Sequence, residues 1–334
     1  MVGEGNAFKG YNFPVLSRGS IVPSGGFGFR VGPSLFREDI KRGLLGDLLN
    51  MYKTLRSINA EIVISVGDPF NLVFTHLGTK KNIFFISTDQ GHSAWVNGFS
   101  RIELELIRRY TLWTFVRDRR TEEFFRERGF RNVSYLGNPL MDTVEEPKFL
   151  LEEGITLLPG TRRDSGRNLL LLLDVVREIK KRFKYYVPIN NNSEQYIIEA
   201  LDGRYTLLDW EYGYRVESPV ELYIGKGLFS EMVSSSILVI GLSGSGNEQS
   251  AGLGKPVVSF YIDGIQFNRK FISEQKKLLG DSLILSDRES VVSIINSLLD
   301  NPQEIERRGD AGKIRMGERG AVERISQFIA GYKG

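Results

Sequence analysis

The chain has 334 residues, 41% hydrophobic and 25% charged, a balance that builds a globular protein large enough for two domains. A formal net charge of +3 and a pI near 8.9 fall well short of a nucleic-acid-binding footprint, and the absence of cysteine excludes disulfides and thiolate metal sites. With two histidines, His76 and His92, a His-rich metal site is excluded too, and no run of apolar residues is long enough to span a membrane, so a cytoplasmic enzyme is expected.

In chain order, the turn-rich Pro23–Gly28 segment precedes a long helical pattern over Leu35–Ser57. Strands are then predicted near Ile62–Val66, Ile83–Ile86, Leu112–Val116 and Val133–Leu136, with helices over Phe70–Leu77, Arg101–Arg109 and Thr121–Arg128. Pro147 and several glutamates interrupt the alternation at Met141–Glu153 and mark a domain boundary. The alternation then restarts with a strand at Ile155–Leu158 and a helix through about Phe183. Further strands follow at Tyr185–Ile189, Tyr205–Leu208, Leu222–Ile224, Ile237–Ile240, Val257–Phe260 and Ser282–Ile284, and a helical tail begins at Pro302. Strands alternating with helices predict an α/β fold with parallel sheets.

The strand at Ile237–Ile240 breaks into Gly241, Ser243, Gly244, Ser245 and Gly246, then enters a helix from about Asn247 to Leu253. A glycine-rich turn at a helix N-terminus lets backbone N–H groups and the helix dipole meet a phosphate. Glu248, in the first helical turn, would be repelled by that phosphate unless it reaches past it to hydroxyl groups, as in a ribose. Three readings stand for this segment: an ordinary strand–helix turn, a dinucleotide fingerprint with Asp263 on the ribose, and a nucleotide-sugar pocket. The fingerprint lacks its third glycine, because Gln249 occupies that place. A second turn, Pro159-Gly160-Thr161-Arg162, repeats the pattern of strand, glycine, hydroxyl and cation. Arg162 is suited to gripping phosphate oxygens in a bidentate manner, or it is simply a solvated arginine.

Residues Leu157–Arg163, Leu136–Asp142 and Gly244–Val257 together resemble motifs of lipid-A-disaccharide synthase and the related branch of that glycosyltransferase family, in the same order and spacing. The resemblance implies a GT-B fold, two Rossmann-like domains facing across a cleft. Residues 1–145 would form the acceptor-side domain, lacking its first strand–helix unit, and residues 146–334 the UDP-sugar domain, with the last helix packing back on the N-terminal domain. Carried over by position, Glu248 matches the ribose-binding glutamate, Ser245 and Gly246 the diphosphate turn, and Arg162 the arginine of the first turn, with Thr161 in place of serine. Gly160, Ser243, Gly244 and Asn247 belong to the same donor set, and Leu228, after Gly225-Lys226-Gly227, resembles the segment beside the uracil.

In the first half, Asp68 within Val66–Asn71 resembles the family's acceptor-side aspartate. As a general base it would take the proton of an attacking hydroxyl; as a helix N-cap before Pro69 it would be purely structural. His92, in the polar Thr88–Trp95 loop, is the candidate assisting histidine. The chain has no Asp-x-Asp pair, so neither a metal nor another cofactor is expected, and the leaving UDP would be neutralised by cations and helix dipole. The expected activity is inverting transfer of an N-acetylglucosamine type of sugar to a lipid-linked or saccharide acceptor. A UDP-sugar 2-epimerase and a non-catalytic UDP-sugar-binding protein are the alternatives. Phe27, Phe29, Leu35, Phe36, Leu44, Leu45, Leu48 and Leu49, interleaved with Arg37, Lys41 and Arg42, are either an amphipathic core segment or a patch for peripheral contact with the inner face of a membrane. No nucleic-acid partner is expected.

Overall fold

The computed structural model describes residues 2–4, 14–19, 33–88, 99–262 and 269–332. Its contacts divide the chain into two compact units. The first opens with a parallel pair, β1 (Val2–Glu4) and β2 (Ser17–Gly19), followed by α1 (Pro33–Lys41) and α2 (Leu44–Ser57). The helix predicted over Leu35–Ser57 is thus two helices, split at Arg42–Gly43, where glycine is a poor helix former. A four-stranded sheet then forms from β3 (Ile64–Gly67), β4 (Ile83–Ser87), β5 (Thr111–Val116) and β6 (Val133–Ser134) in that spatial order, with β3–β4 and β5–β6 parallel. Between these strands run α3 (Pro69–Thr79) and α4 (Arg101–Tyr110), the latter started by a reciprocal Ser100–Glu103 capping box. α5 (Arg119–Glu127), which lies between β5 and β6 in the chain, clusters with the second unit.

The second unit also contains α6 (Pro139–Asp142) and everything that follows. In chain order these are β7 (Gly154–Leu158), α7 (Ser165–Val176), β8 (Lys184–Ile189), α8 (Glu194–Leu201), β9 (Thr206–Trp210), β10 (Gly213–Glu217), β11 (Glu221–Lys226), α9 (Phe229–Ser234) and β12 (Ser236–Gly241). After them come α10 (Ser245–Gly252), β13 (Val257–Phe260), α11 (Arg269–Leu279), β14 (Leu283–Ser286), α12 (Val291–Leu299), α13 (Pro302–Met316) and α14 (Ala321–Gly331). Eight strands make one sheet in the order β14-β13-β12-β7-β8-β11-β10-β9. The strands from β14 to β11 are parallel, and β7 and β13 are buried along their whole length, which is why their sequences are mostly apolar, with Thr156 and Ser259 as the buried polar residues.

The parallel pattern fails at one edge, where β10 runs antiparallel to both β11 and β9. β10 carries Arg215 and Glu217 on exposed positions, so it lacks the apolar run that would reveal a strand. α7 stops at Val176, short of Phe183: the N–H groups of Glu178 and Ile179 bond three residues back, and this tightened turn buries Ile179. The tail is likewise two helices, with α14 packed on α6. Here the Leu136–Asp142 motif has a structural task. Asn138 caps α6, and Asp142 accepts from the N–H groups of Gly320, Ala321 and Val322 at the head of α14, while Arg324 donates to Leu136 O at 2.7 Å. Among the described residues no helix is long and apolar enough to cross a membrane.

Candidate functional site

In the eight-stranded sheet the chain lays down β7, moves to β8 and β11 on one side, then returns to place β12, β13 and β14 on the other. Strand order therefore reverses between β7 and β12, and a crevice opens beyond the carboxyl ends of strands at such a point. Gly241 at the end of β12 is in register with Leu158 at the end of β7, and the Leu242 N–H donates to Leu158 O at 2.8 Å. The two glycine turns singled out in the sequence thus emerge side by side at this reversal.

The first turn leaves β7 through Pro159 and Gly160, whose φ of +89° suits glycine. Its close is fixed by the Ser165 N–H donating to Arg162 O at 2.9 Å and by Asn168 Nδ2 donating to Pro159 O at 3.0 Å. Thr161 stands exposed and Arg162 is half-buried. Burial pushes the Arg162 guanidinium down from its ordinary pKa, an effect that nearby Asp164 partly offsets. A partly desolvated cation at the mouth of a sheet crevice is suited to an anion.

The second turn is braced from behind. Gln275 of α11, 3% exposed, donates from Nε2 to Ser243 O at 3.2 Å and to Gly244 O at 2.9 Å, and its Oε1 accepts from Asn247 Nδ2 at 2.9 Å. Asn247 Nδ2 also donates to Gly241 O at 3.3 Å, and any Cβ at Gly241 would collide with the Asn247 side chain. The Asn247 side chain is therefore fully buried and props the turn, leaving its backbone N–H as what it can offer a ligand. Ser243 and Gly244 are half-buried, Ser245 is exposed and Gly246 is buried at the head of α10, whose first N–H groups have no partner within the helix.

Glu248 sits in the first turn of α10, and its carboxylate pairs with the Arg117 guanidinium. Arg117, Gln275 and Asn168 are the residues that sequence reasoning missed. Arg117 lies 131 positions from Glu248, so no local spacing links them. Leu228 caps the end of the loop after β11, but its side chain is buried against Tyr186 and Met232. In the first unit, Asp68 accepts from the Asn71 N–H at 3.0 Å with Pro69 at the first helical position, so it does cap α3. His92 and Asp263 lie outside the described residues. Among the described residues no three His, Asp or Glu side chains gather as a metal site.

The sequence matches no protein-family model, and no curated protein matches it. Solved structures do resemble the fold. An S. aureus MnaA–UDP co-structure superposes with a TM-score of 0.61 at 14% identity, covering 93% of this chain and 88% of that one. A Methanocaldococcus jannaschii UDP-GlcNAc 2-epimerase, in complex with UDP-GlcNAc and UDP, gives 0.53 at 12% identity over 98% of both chains. The calicheamicin glycosyltransferase CalG4 gives 0.53 at 9% identity over 95% of this chain and 87% of its own. The fold is GT-B-like. In this GT-B-like chain the doubly wound sheet of the second unit carries both glycine turns, and Asp68 belongs to the Rossmann-like first unit.

Proposed function

We propose that this protein binds a UDP-sugar at the reversal between β7 and β12 and transfers the sugar to an acceptor hydroxyl with inversion and without a metal ion. The observation that carries the reading is the pairing of the two glycine turns at the ends of adjacent strands, with Arg162 beside one and Glu248 in the helix after the other. The first-turn N–H groups of α10 and Arg162 would hold the diphosphate and take up its charge as it departs. Thr161 would add a hydroxyl donor, and Glu248 would accept from the ribose hydroxyls. The acceptor oxygen bonds to the anomeric carbon as the bond to the diphosphate oxygen breaks, and the acceptor proton passes to a base. Asp68 is the proposed base, since its cap to α3 occupies Oδ1 alone, with His92 assisting.

The similarity of three sequence motifs to lipid-A-disaccharide synthase supports an N-acetylglucosamine type of donor and a lipid-linked or saccharide acceptor. Exposed Ile40, Leu45 and Leu49 beside exposed Arg37, Lys41 and Arg42 support contact between α1–α2 and the inner face of an anionic membrane. A second reading is UDP-GlcNAc 2-epimerisation, favoured by the likeness to the M. jannaschii enzyme. Product analysis separates the two: an epimerase converts UDP-GlcNAc alone, whereas a transferase releases UDP only with an acceptor present. Titration calorimetry with UDP, UDP-GlcNAc and NAD tests the site itself. UDP binding should fall roughly tenfold to a hundredfold in both Arg162→Ala and Glu248→Ala. Binding of NAD in place of UDP would sink the reading.

A further inference from the structure

Glu248 poses a physical difficulty for any anion held by α10. Its carboxylate occupies the helical turn whose N–H groups would receive a diphosphate, and an uncompensated like charge a few ångströms away weakens anion binding by roughly a hundredfold. The structure resolves this with a residue from elsewhere in the chain. Arg117 donates from a terminal guanidinium nitrogen to Glu248 Oε2, and no described residue donates to Oε1. The pair is enclosed, with the arginine side chain 7% and the glutamate side chain 13% exposed; among the described residues it is the one ion pair with both partners under a fifth exposed. The backbone behind Arg117 is fixed as well, because its neighbour Asp118 caps α5 by accepting from Thr121 N–H and Thr121 Oγ1, each at 2.8 Å.

We propose that Arg117 is a positioning residue of the donor site, neutralising Glu248 and leaving its second oxygen for a ribose, so that one helical turn accommodates a carboxylate and a diphosphate together. This rests on the UDP-sugar reading of the site. It assigns Arg117 a task distinct from a structural ion pair: the cation matters because the ligand is charged. Removing it leaves a nearly buried, unpaired carboxylate beside the phosphates, while the carboxylate itself remains able to accept from sugar hydroxyls.

The test is calorimetry on the full chain with UDP and with uridine, using Arg117→Ala, Arg117→Lys, Glu248→Gln and the Arg117→Ala/Glu248→Gln double variant. Arg117→Ala should weaken UDP on the order of 30-fold or more and uridine by less than about threefold. Arg117→Lys, which keeps the charge and the fold should alanine fail to express, should retain UDP to within about tenfold. The decisive arm is rescue: with a neutral amide at position 248 there is no charge to repel, so the double variant should bind UDP better than Arg117→Ala alone. Equal losses for UDP and uridine, or no rescue in the double variant, would overturn the assignment while leaving the UDP site standing. A wild-type chain that binds neither ligand would overturn the site reading and this assignment with it.

Discussion

Gln275 is the residue on which the second glycine turn depends most directly. Replacing it with leucine keeps roughly the volume, so the cavity term stays small, but removes the donations to Ser243 O and Gly244 O and the acceptance from Asn247 Nδ2. A hydrogen bond contributes about 1 kcal/mol net, and each buried group left unpaired costs about 1–3 kcal/mol. With Gln275 at 3% exposure, water cannot readily replace the amide, and the summed loss comes to about 3–5 kcal/mol. That is a large share of a typical domain stability of about 5–15 kcal/mol. Urea unfolding of Gln275→Leu, with hydrogen exchange at the Ser245, Gly246 and Asn247 amides, reads both the global and the local effect. The expected result is a lower midpoint, faster exchange at those amides and UDP binding weakened at least about tenfold. A stability loss below about 1 kcal/mol with unchanged exchange would show that the turn holds its shape without this brace.

Two further expectations concern other parts of the second unit. Asp142→Ala strips the acceptor from three N–H groups at the head of α14 and should cost about 1–2 kcal/mol, seen as earlier proteolytic nicking of the C-terminal helix, with Asp142→Asn intermediate. Tyr185 and Tyr186, both 2% exposed, have pKa values pushed up to about 12, chiefly by burial. The folded chain therefore holds protons that the unfolded chain has released near pH 10, so stability is fully present below about pH 10 and falls as pH rises toward 12. Tyrosinate absorbance should show these two ionising nearer pH 12 than pH 10 while the chain stays folded, and ordinary titration of all 13 tyrosines would contradict their burial.

Strands buried on both faces were legible in the sequence because burial itself writes an apolar run: β7, β12 and β13 were found within a residue or so of their ends. β10 escaped because a strand between β11 and β9 that carries Arg215 and Glu217 on exposed positions has no such run. Both glycine turns were visible, since each is local and combines a strand end, glycine and a helix start. Their adjacency was not, because it depends on which strand pairs with which. The same limit hid Gln275 and Arg117, ordinary polar residues that gain a task only when a strand or helix 32 or 131 positions away is brought against them. For Asp142 the motif was seen but not its capping role, which needs α14 in place.

The order of strands in the large sheet also sets a sequence of events during synthesis. β7 and its turn leave the ribosome early, yet the neighbour that completes the crevice is β12; Thr156 and Ser236, which share a hydrogen bond across that seam, are 80 residues apart. Closing so long a loop is slow, and the brace from Gln275 arrives later still. A chain halted before α11 would carry both glycine turns but not Gln275. Affinity for a nucleotide would therefore be among the last properties acquired in folding, and among the first lost when the far edge of the sheet loosens.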